Sequence, residues 1–260
     1  MKISIITVAY NSAATIGDTL RSVAVQTHPD IEHIVIDGGS KDSTVAVIHD
    51  VGKHVSQLVS ERDDGIYDAM NKGLRLATGD FVGFLNADDM LATPDVVAEI
   101  ARAAASEVDA VCGDLVYVNK DRPAEVVRYW RCGEFTPSRL RYGWMPPHPT
   151  LYMRRSGLAE QGLFDLRLRI AADYDFILRF LGRPGVRMAY VPKLLVKMRT
   201  GGVSNRSFVT LLKKSREDLI ALHKNRVGGV LTLLCKNLRK LPQFFLTPTP
   251  LAVPAPRPLP

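Results

Sequence analysis

The feature that most restricts the fold is a repeated punctuation. Short β-branched apolar runs break off at acidic or glycine turns, and each is followed by a helical pattern. Residues 3–8 form such a run, a buried parallel strand without polar interruption, followed by a turn at Tyr10-Asn11-Ser12. Ser12 is placed to cap a helix running to about residue 26. Residues 32–36 are the second strand and end in Asp37-Gly38-Gly39-Ser40, and Asp42-Ser43 then opens a short helix. Residues 57–60 are the third strand. Ile66, Met70, Leu74 and Ala77 repeat at helical spacing, with Gly79 as the expected C-cap. Residues 81–85 are the next strand, ending at Asn86-Ala87-Asp88-Asp89, and Pro94 starts a helix to about residue 106. This order predicts an α/β fold: a Rossmann-like, mainly parallel sheet flanked by helices, with ligands at the C-terminal edge of the strands.

The second half is more mixed. Strands are expected over 110–118, 150–153 and 188–191, with a helix over 171–181. A helical extension follows, over 204–223 and 229–241. From residue 247 the Pro-rich tail has no pattern that builds a core and reads as disordered. Residues 199–260 carry 11 Lys/Arg against two Asp/Glu, so the net charge of +7 belongs to this C-terminal quarter. The 206–246 segment mixes that charge with Val230, Leu231, Leu233, Leu234, Leu238 and Phe245, which suits either an anionic membrane surface or packing on the domain. Cys112, Cys132 and Cys235 are odd in number and far apart, which fits core thiols in a reducing compartment. No signal region opens the chain and no apolar run spans a bilayer, so the expectation is a cytoplasmic protein, peripheral on the inner membrane face.

Asp37 ends one strand and Asp88-Asp89 another, at the edge where an open α/β sheet binds ligands. Carboxylates gathered there repel unless a cation or a ligand's hydroxyls compensate, and paired acids suit Mg²⁺ or Mn²⁺. Read singly, each string is also an ordinary turn with a helix cap. Together they favour a nucleotide and metal site.

At this point the chain resembles a known family, the inverting family 2 glycosyltransferases of GT-A fold. The resemblance rests on an ordered set of strings: Ile5-Ile6-Thr7-Val8-Ala9-Tyr10-Asn11, Gln26-Thr27, Val35-Ile36-Asp37-Gly38-Gly39-Ser40, Asn71-Lys72-Gly73, Phe84-Leu85-Asn86-Ala87-Asp88-Asp89 and Ala172-Asp173-Tyr174-Asp175. It covers about residues 1–205, with 1–110 as the nucleotide-binding half and 111–205 as the acceptor-binding half. The resemblance implies that Thr7, Ala9, Tyr10 and Asn11 line the donor pocket and that Asp37 accepts a bond from the base. Asn86-Ala87-Asp88 matches the family's D-x-D motif, so Asp88 is the expected metal ligand and Asp89 a second candidate. Asp173 matches the catalytic base. Two departures stand out: Asn86 replaces the first acid of the motif, and Ala172 replaces the Glu that usually precedes the base.

The string from Ser60 through Asp64-Gly65-Ile66-Tyr67-Asp68-Ala69-Met70-Asn71 resembles a bacterial subgroup that decorates exopolysaccharides and cell-wall glycolipids. Asp64, with Asp68 four residues on, either faces the donor or stabilises a helix start. Asn71 closes the string and joins the expected donor-binding set. His148, in Pro147-His148-Pro149-Thr150, falls on the acceptor side or serves structure. Arg199, before Gly201-Gly202-Val203-Ser204, either contributes charge to a mobile loop over the donor diphosphate or lies in a plain loop. The expected partners are a nucleotide-sugar donor, a lipid-linked or glycolipid acceptor and an anionic membrane, with no nucleic acid; the oligomeric state is left open. Two other readings stay open: a non-catalytic basic module, and a nucleotidyltransferase, against which the absence of a Gly-rich phosphate loop after the first strand counts.

Overall fold

The computed structural model describes residues 1–201, 208–240 and 242–244. Gly202-Val203-Ser204, Phe245 and the tail from residue 247 lie outside the described residues.

Among the described residues nine strands form one sheet, in the order β3 (Gln57–Ser60), β2 (Ile31–Asp37), β1 (Ile3–Ala9), β4 (Phe81–Phe84), β8 (Tyr152–Arg154), β6 (Ala110–Val118), β9 (Met188–Arg199) and β5 (Met90–Leu91), with β7 (Val126–Trp130) beside β6. β1 (Ile3–Ala9) is at the centre of the first half, parallel to β2 (Ile31–Asp37) on one side and β4 (Phe81–Phe84) on the other; β3 (Gln57–Ser60) extends the parallel run. The crossovers are α1 (Ile16–Ala24), α2 (Thr44–Val51) and α3 (Ile66–Leu76). Every residue of β1 is buried, as a strand covered by helices on both faces requires. Gly73 of α3 shows how close that cover is: a Cβ there would meet Ile6 Cγ2 at 2.3 Å. The sheet is mixed in its second half. β8 (Tyr152–Arg154) runs antiparallel to β4 and β6 (Ala110–Val118), while β6 and β9 (Met188–Arg199) are parallel.

Several local expectations shift. Ser12 is not the cap of α1: Thr15 is, and the Ser12 carbonyl accepts the Thr15 and Ile16 N–H groups. Ala77, not Gly79, caps α3. Gly79 instead turns against β1, where a Cβ would meet the Ser4 nitrogen at 2.7 Å. Pro94 precedes α4 (Val96–Ala104), which Asp95 caps. β9 runs eight residues past the expected end at 191, because register shifts at Gly113/Asp114/Leu115 absorb the Pro192-Lys193 interruption. β5 (Met90–Leu91), β7 (Val126–Trp130), α5 (Pro137–Arg141) and α6 (Arg155–Gln161) carry no pattern that announced them. Cys112 and Cys132 are buried with their sulfurs 2.7 Å apart, and Cys235 is partly exposed.

Glu32 ties β2 to its neighbours. Its carboxylate accepts from Lys2 Nζ at 2.8 Å, Ser4 Oγ at 2.6 Å, Thr78 N at 2.8 Å and Thr78 Oγ1 at 2.6 Å. Burial alone would raise this carboxyl, but the bonds outweigh it and bring it from 4.5 down to about 2. A lowered carboxylate stabilises fully above its ordinary pKa and loses that contribution as pH falls through its folded value. Acid titration of folding should therefore show a Glu32 contribution draining below pH 4.5, and Glu32→Gln should remove it. An identical acid-unfolding curve for the variant would contradict this.

The C-terminal helices belong to the same body. α8 (Phe208–Lys224) and α9 (Val230–Leu238) pack beside α7 (Ala172–Leu181), with Ala221, Leu222 and Leu233 in the main core cluster. The buried Asp175 carboxylate fastens them, taking Arg179 Nε at 3.0 Å, Lys224 Nζ at 3.1 Å and Asn225 Nδ2 at 2.9 Å. Packing on the domain thus accounts for one face of the extension. The other face of α9 stays open, with Val230, Leu231, Leu234 and Leu238 exposed. No helix of the described residues is long and apolar enough to cross a membrane.

Candidate active site

Strand register gathers the acidic turns. Ala9 at the end of β1 pairs with Asp37 at the end of β2, and on β1's other side the Ala87 N–H bonds the Val8 carbonyl at 3.2 Å. The Asp37 loop and the Asn86–Asp89 turn therefore flank one strand end.

Asp37 is fully buried. It accepts from Ser40 N at 3.1 Å, from Ser60 Oγ at 2.7 Å and from Ser40 Oγ. A carboxylate has about four acceptor positions, so roughly one remains for a ligand. Gly39 makes the turn with φ +76°. Asn11, at φ 47°, receives Lys41 N on its Oδ1 at 2.8 Å, while its own N–H reaches Ser40 Oγ at 2.8 Å. Tyr10 beside it leaves 58% of its surface exposed. Thr7 is different. It is fully buried with Oγ1 2.9 Å from His33 Nε2, so it supports the strand rather than lining an open pocket.

At the other turn, Asn86 Nδ2 donates to Asp89 Oδ2 at 3.2 Å. Asn86 Oδ1 and Asp89 Oδ1 are buried and make no hydrogen bond to the described residues. Burial raises both Asp88 and Asp89, and the Asp88 charge pushes Asp89 up further. Orphaned oxygens beside two acids are what a hard cation would satisfy. Among the described residues no three His, Cys, Asp or Glu side chains are grouped to cage a metal.

Arg199 sits behind this edge. Buried, it donates to the Asp88 carbonyl at 3.0 Å and the Lys120 carbonyl at 3.2 Å, and pairs with Asp18 Oδ2 at 2.5 Å. It fixes the acidic turn to α1 and β9, with its charge beside Asp88 and Asp89.

Asp173 lies in the first turn of α7, half-buried, with Oδ1 2.8 Å from the Tyr174 N–H and 3.3 Å from the Tyr67 hydroxyl. Tyr67 also donates to the Ile170 carbonyl at 2.8 Å. His148 is buried between Phe84 and Phe164, with Nε2 unbonded to any described residue. Burial lowers its ring pKa and the nearby Asp173 charge opposes that. Burial raises the Tyr117 hydroxyl, and the Arg128 guanidinium, 4.0 Å from its ring centroid, opposes that.

Two expected donor residues make local contacts. Asn71 clamps Phe164 through both amide atoms, Nδ2 to its carbonyl at 3.1 Å and Oδ1 from its N–H at 2.8 Å. Asp64 has an exposed side chain; its N–H goes to Asp68 Oδ2 at 3.2 Å and its carbonyl takes Arg169 Nη1 at 2.8 Å. Asp68 thus closes the start of α3.

The residue that sequence patterns missed is Glu217 of α8. Its Oε2 accepts from Ile170 N at 2.8 Å and Ala171 N at 2.9 Å, immediately before α7. It holds the backbone that leads into the first turn of α7, where Asp173 lies. Glu217→Ala should cost about 1 kcal/mol of stability, the scale of a lost helix cap. Turnover should fall while donor affinity holds, as read by denaturation and by donor titration. A parallel loss of donor affinity would leave Glu217 a general folding role only.

The profile of the family described as Glycosyl transferase family 2 matches residues 4–160. A PGL/p-HBAD biosynthesis glycosyltransferase of Mycobacterium tuberculosis is 34% identical over 206 residues, 78% of each chain. Among solved structures, S. aureus TarS 1–349 in complex with UDP-GlcNAc superposes with TM-score 0.67 at 20% identity, covering 87% of this chain and 66% of that one. Full TarS is longer, and this chain covers 42% of it. The mannosyltransferase PcManGT of Pyrobaculum calidifontis, in complex with GDP-Man and Mn²⁺, gives 0.64 at 20% identity, with 94% and 73% covered. These likenesses bear out the GT-A fold. Its acidic strand ends, its family profile and its mycobacterial relatives agree: this chain belongs to Glycosyl transferase family 2 and is a glycosyltransferase.

Proposed function

We propose that the protein is an inverting transferase that moves one sugar from a nucleoside-diphosphate donor to a hydroxyl of a lipid-linked saccharide or glycolipid, in cell-wall or exopolysaccharide biosynthesis. The observation that carries this reading is the acidic strand edge: the Asp37 loop and the Asn86–Asp89 turn flank the end of β1, with Asn86 Oδ1 and Asp89 Oδ1 buried and unbonded to the described residues. The mycobacterial relative named for PGL/p-HBAD biosynthesis supports the acceptor class.

In this reading Ala9, Tyr10, Asn11 and Asp37 receive the nucleoside, Tyr10 offering an exposed ring and Asp37 its remaining acceptor position. Asp64 borders the donor. Thr7 and Asn71 shape the pocket from behind. Asn86 and Ala87 meet the ribose and diphosphate side, and Asp88 with Asp89 would hold Mn²⁺ or Mg²⁺. When bound, that ion offsets negative charge on the departing diphosphate. Asp173 removes the acceptor hydroxyl's proton as its oxygen attacks the anomeric carbon opposite the leaving group. Tyr67 holds that carboxylate, and His148 walls the acceptor side. The open apolar face of α9 and the basic charge around it suit an anionic membrane, on whose cytoplasmic side the enzyme would be peripheral.

The test supplies radiolabelled sugar nucleotides, Mn²⁺ and a lipid extract from a bacterium that makes such glycolipids. Label should move into the organic phase. Label passing only into water-soluble products would refute the acceptor class.

A further inference from the structure

Two of the three cysteines, far apart in sequence, meet in the fold. Cys112 is in β6, and Cys132 lies two residues past the end of β7, just beyond the Leu115 and Trp130 pair of the β6–β7 ladder. Their sulfurs are 2.7 Å apart, and neither residue is more than 3% exposed. The sulfurs of a disulfide are about 2.05 Å apart, so closing the bond asks for less than about 1 Å of movement. Cys235, on α9, is partly exposed.

Both cysteines also anchor the stretch that holds His148. Trp144 Nε1 donates to the Cys132 carbonyl at 2.9 Å. The Thr150 hydroxyl donates to the carbonyl of Gly113, the neighbour of Cys112, at 2.9 Å. His148 lies between these two anchors. The Cys132 N–H is held in turn by Asp114 Oδ1 at 2.8 Å, an oxygen that also takes the Tyr190 hydroxyl at 2.9 Å. A bond between the sulfurs would therefore join the two backbones that carry the anchors.

The pair can be reached without unfolding the sheet. Residues 131–136, between β7 and α5, have no regular structure. Arg131 and Glu134, on either side of Cys132, are exposed, and Gly133 turns the chain with φ +70°. Burial first, then the hydrogen bond with Cys112, holds the Cys132 thiol well above its usual range, so the closed pair contains little thiolate. Local opening of this loop exposes Cys132 to solvent and returns it toward ordinary thiol chemistry. Bond formation is therefore slow and set by the loop.

We propose that Cys112 and Cys132 are a reversible disulfide site, whose oxidised form fixes the 131–150 segment to β6. The reaction is exchange with a low-molecular-weight disulfide. The Cys132 thiolate attacks one sulfur of that molecule, forming a mixed disulfide and releasing one small thiol. The Cys112 thiolate then attacks the Cys132 sulfur, the protein disulfide forms and the second small thiol leaves. Two protein thiols are oxidised, one small disulfide is reduced, and the two thiol protons end on the released thiols. Excess small thiol runs both steps backward. That the clamped segment borders the acceptor rests on the glycosyltransferase reading; the disulfide itself does not.

The full chain is incubated with oxidised glutathione, unfolded in iodoacetamide and digested with trypsin. Mass spectrometry should find the peptides of Cys112 and Cys132 joined, two hydrogens lighter than the free pair, with Cys235 outside the linkage. Dithiothreitol should part them. In the oxidised protein, hydrogen exchange over residues 131–148 should slow at least about tenfold, and the melting temperature should rise by at least about 4 °C, as a cross-link closing such a loop requires. Cys132→Ser should lose the linkage and both shifts; Cys132→Ala repeats the comparison should a buried hydroxyl destabilise the first variant. None of these readouts uses sugar transfer. The Mn²⁺-dependent thermal shift with sugar nucleotides, expected alike in the reduced wild type and reduced Cys132→Ala, tests the transferase reading separately. Absence of the linkage, glutathione adducts alone, or a linkage through Cys235 overturns the proposal. So does an oxidised protein that melts no higher or exchanges no slower.

Discussion

Asp173→Asn is expected to lower sugar transfer by about a thousandfold, the scale of a lost general base, while nucleotide binding stays within about twofold of the wild type. The side chain keeps its shape and an oxygen able to face Tyr67 and the Tyr174 N–H, so the first turn of α7 should persist. What disappears is the capacity to take a proton. With Ala172 in place of the family's usual acid, no adjacent carboxylate on α7 substitutes: Asp175 is buried and spent on Arg179, Lys224 and Asn225. Glu217 is the other acid near the helix start, but its Oε2 is held by two backbone N–H groups. Substantial transfer by Asp173→Asn would sink the assignment of the base.

Asp88→Ala should weaken metal-dependent donor binding by at least about a hundredfold, since even residues that only support metal ligands are worth 10–100-fold. The position is sensitive because Asn86 has already removed one charge from the motif. The turn itself should survive. It is held by backbone and by Arg199, through the Asp88 carbonyl and the Asp18 pair, none of which the substitution touches. Calorimetric donor titration with and without Mn²⁺ reads the effect, and identical titrations for variant and wild type would refute the metal role. Asp89→Ala separates the two acids, because the buried Asp89 also organises Asn86 and should cost folding stability as well.

The first half of the chain was legible because it is local. Apolar runs followed by Asp37 and by Asn86–Asp89 name strand ends, and a parallel sheet brings such ends to one edge. Patterns do not say which face a residue takes when a strand is buried on both. The resemblance placed Thr7 in the donor pocket, and the structure gives its hydroxyl to His33. Asn71 stood within an informative string but is consumed in clamping Phe164, a partner 93 positions away. β7 stayed hidden because Val126 and Val127 are exposed, so no apolar alternation marks it.

The extension shows the same limit more clearly. Its sequence offered two uses for one amphipathic segment, and the fold shows packing on the domain for one face of it. Glu217, Asp218 and Lys236 turn inward toward α7, while Leu231, Leu234 and Leu238 remain outside. No short-range spacing rule connects Glu217 with Ile170, 47 residues earlier. The acid that holds the start of α7 thus comes from a different helix, and only tertiary structure reveals it.

The most direct test of the central claim is a thermal-shift panel of sugar nucleotides, each with Mn²⁺ and with EDTA. A ligand that binds only the folded state raises the melting temperature by mass action, by about 5 °C or more at a hundredfold excess over Kd for a chain of this size. One sugar nucleotide should produce that rise with Mn²⁺ and lose it with EDTA; Asp173→Asn should keep the rise and Asp88→Ala abolish it. A panel in which no sugar nucleotide stabilises the protein beyond Mn²⁺ alone, or in which Asp88→Ala responds like the wild type, would contradict the account.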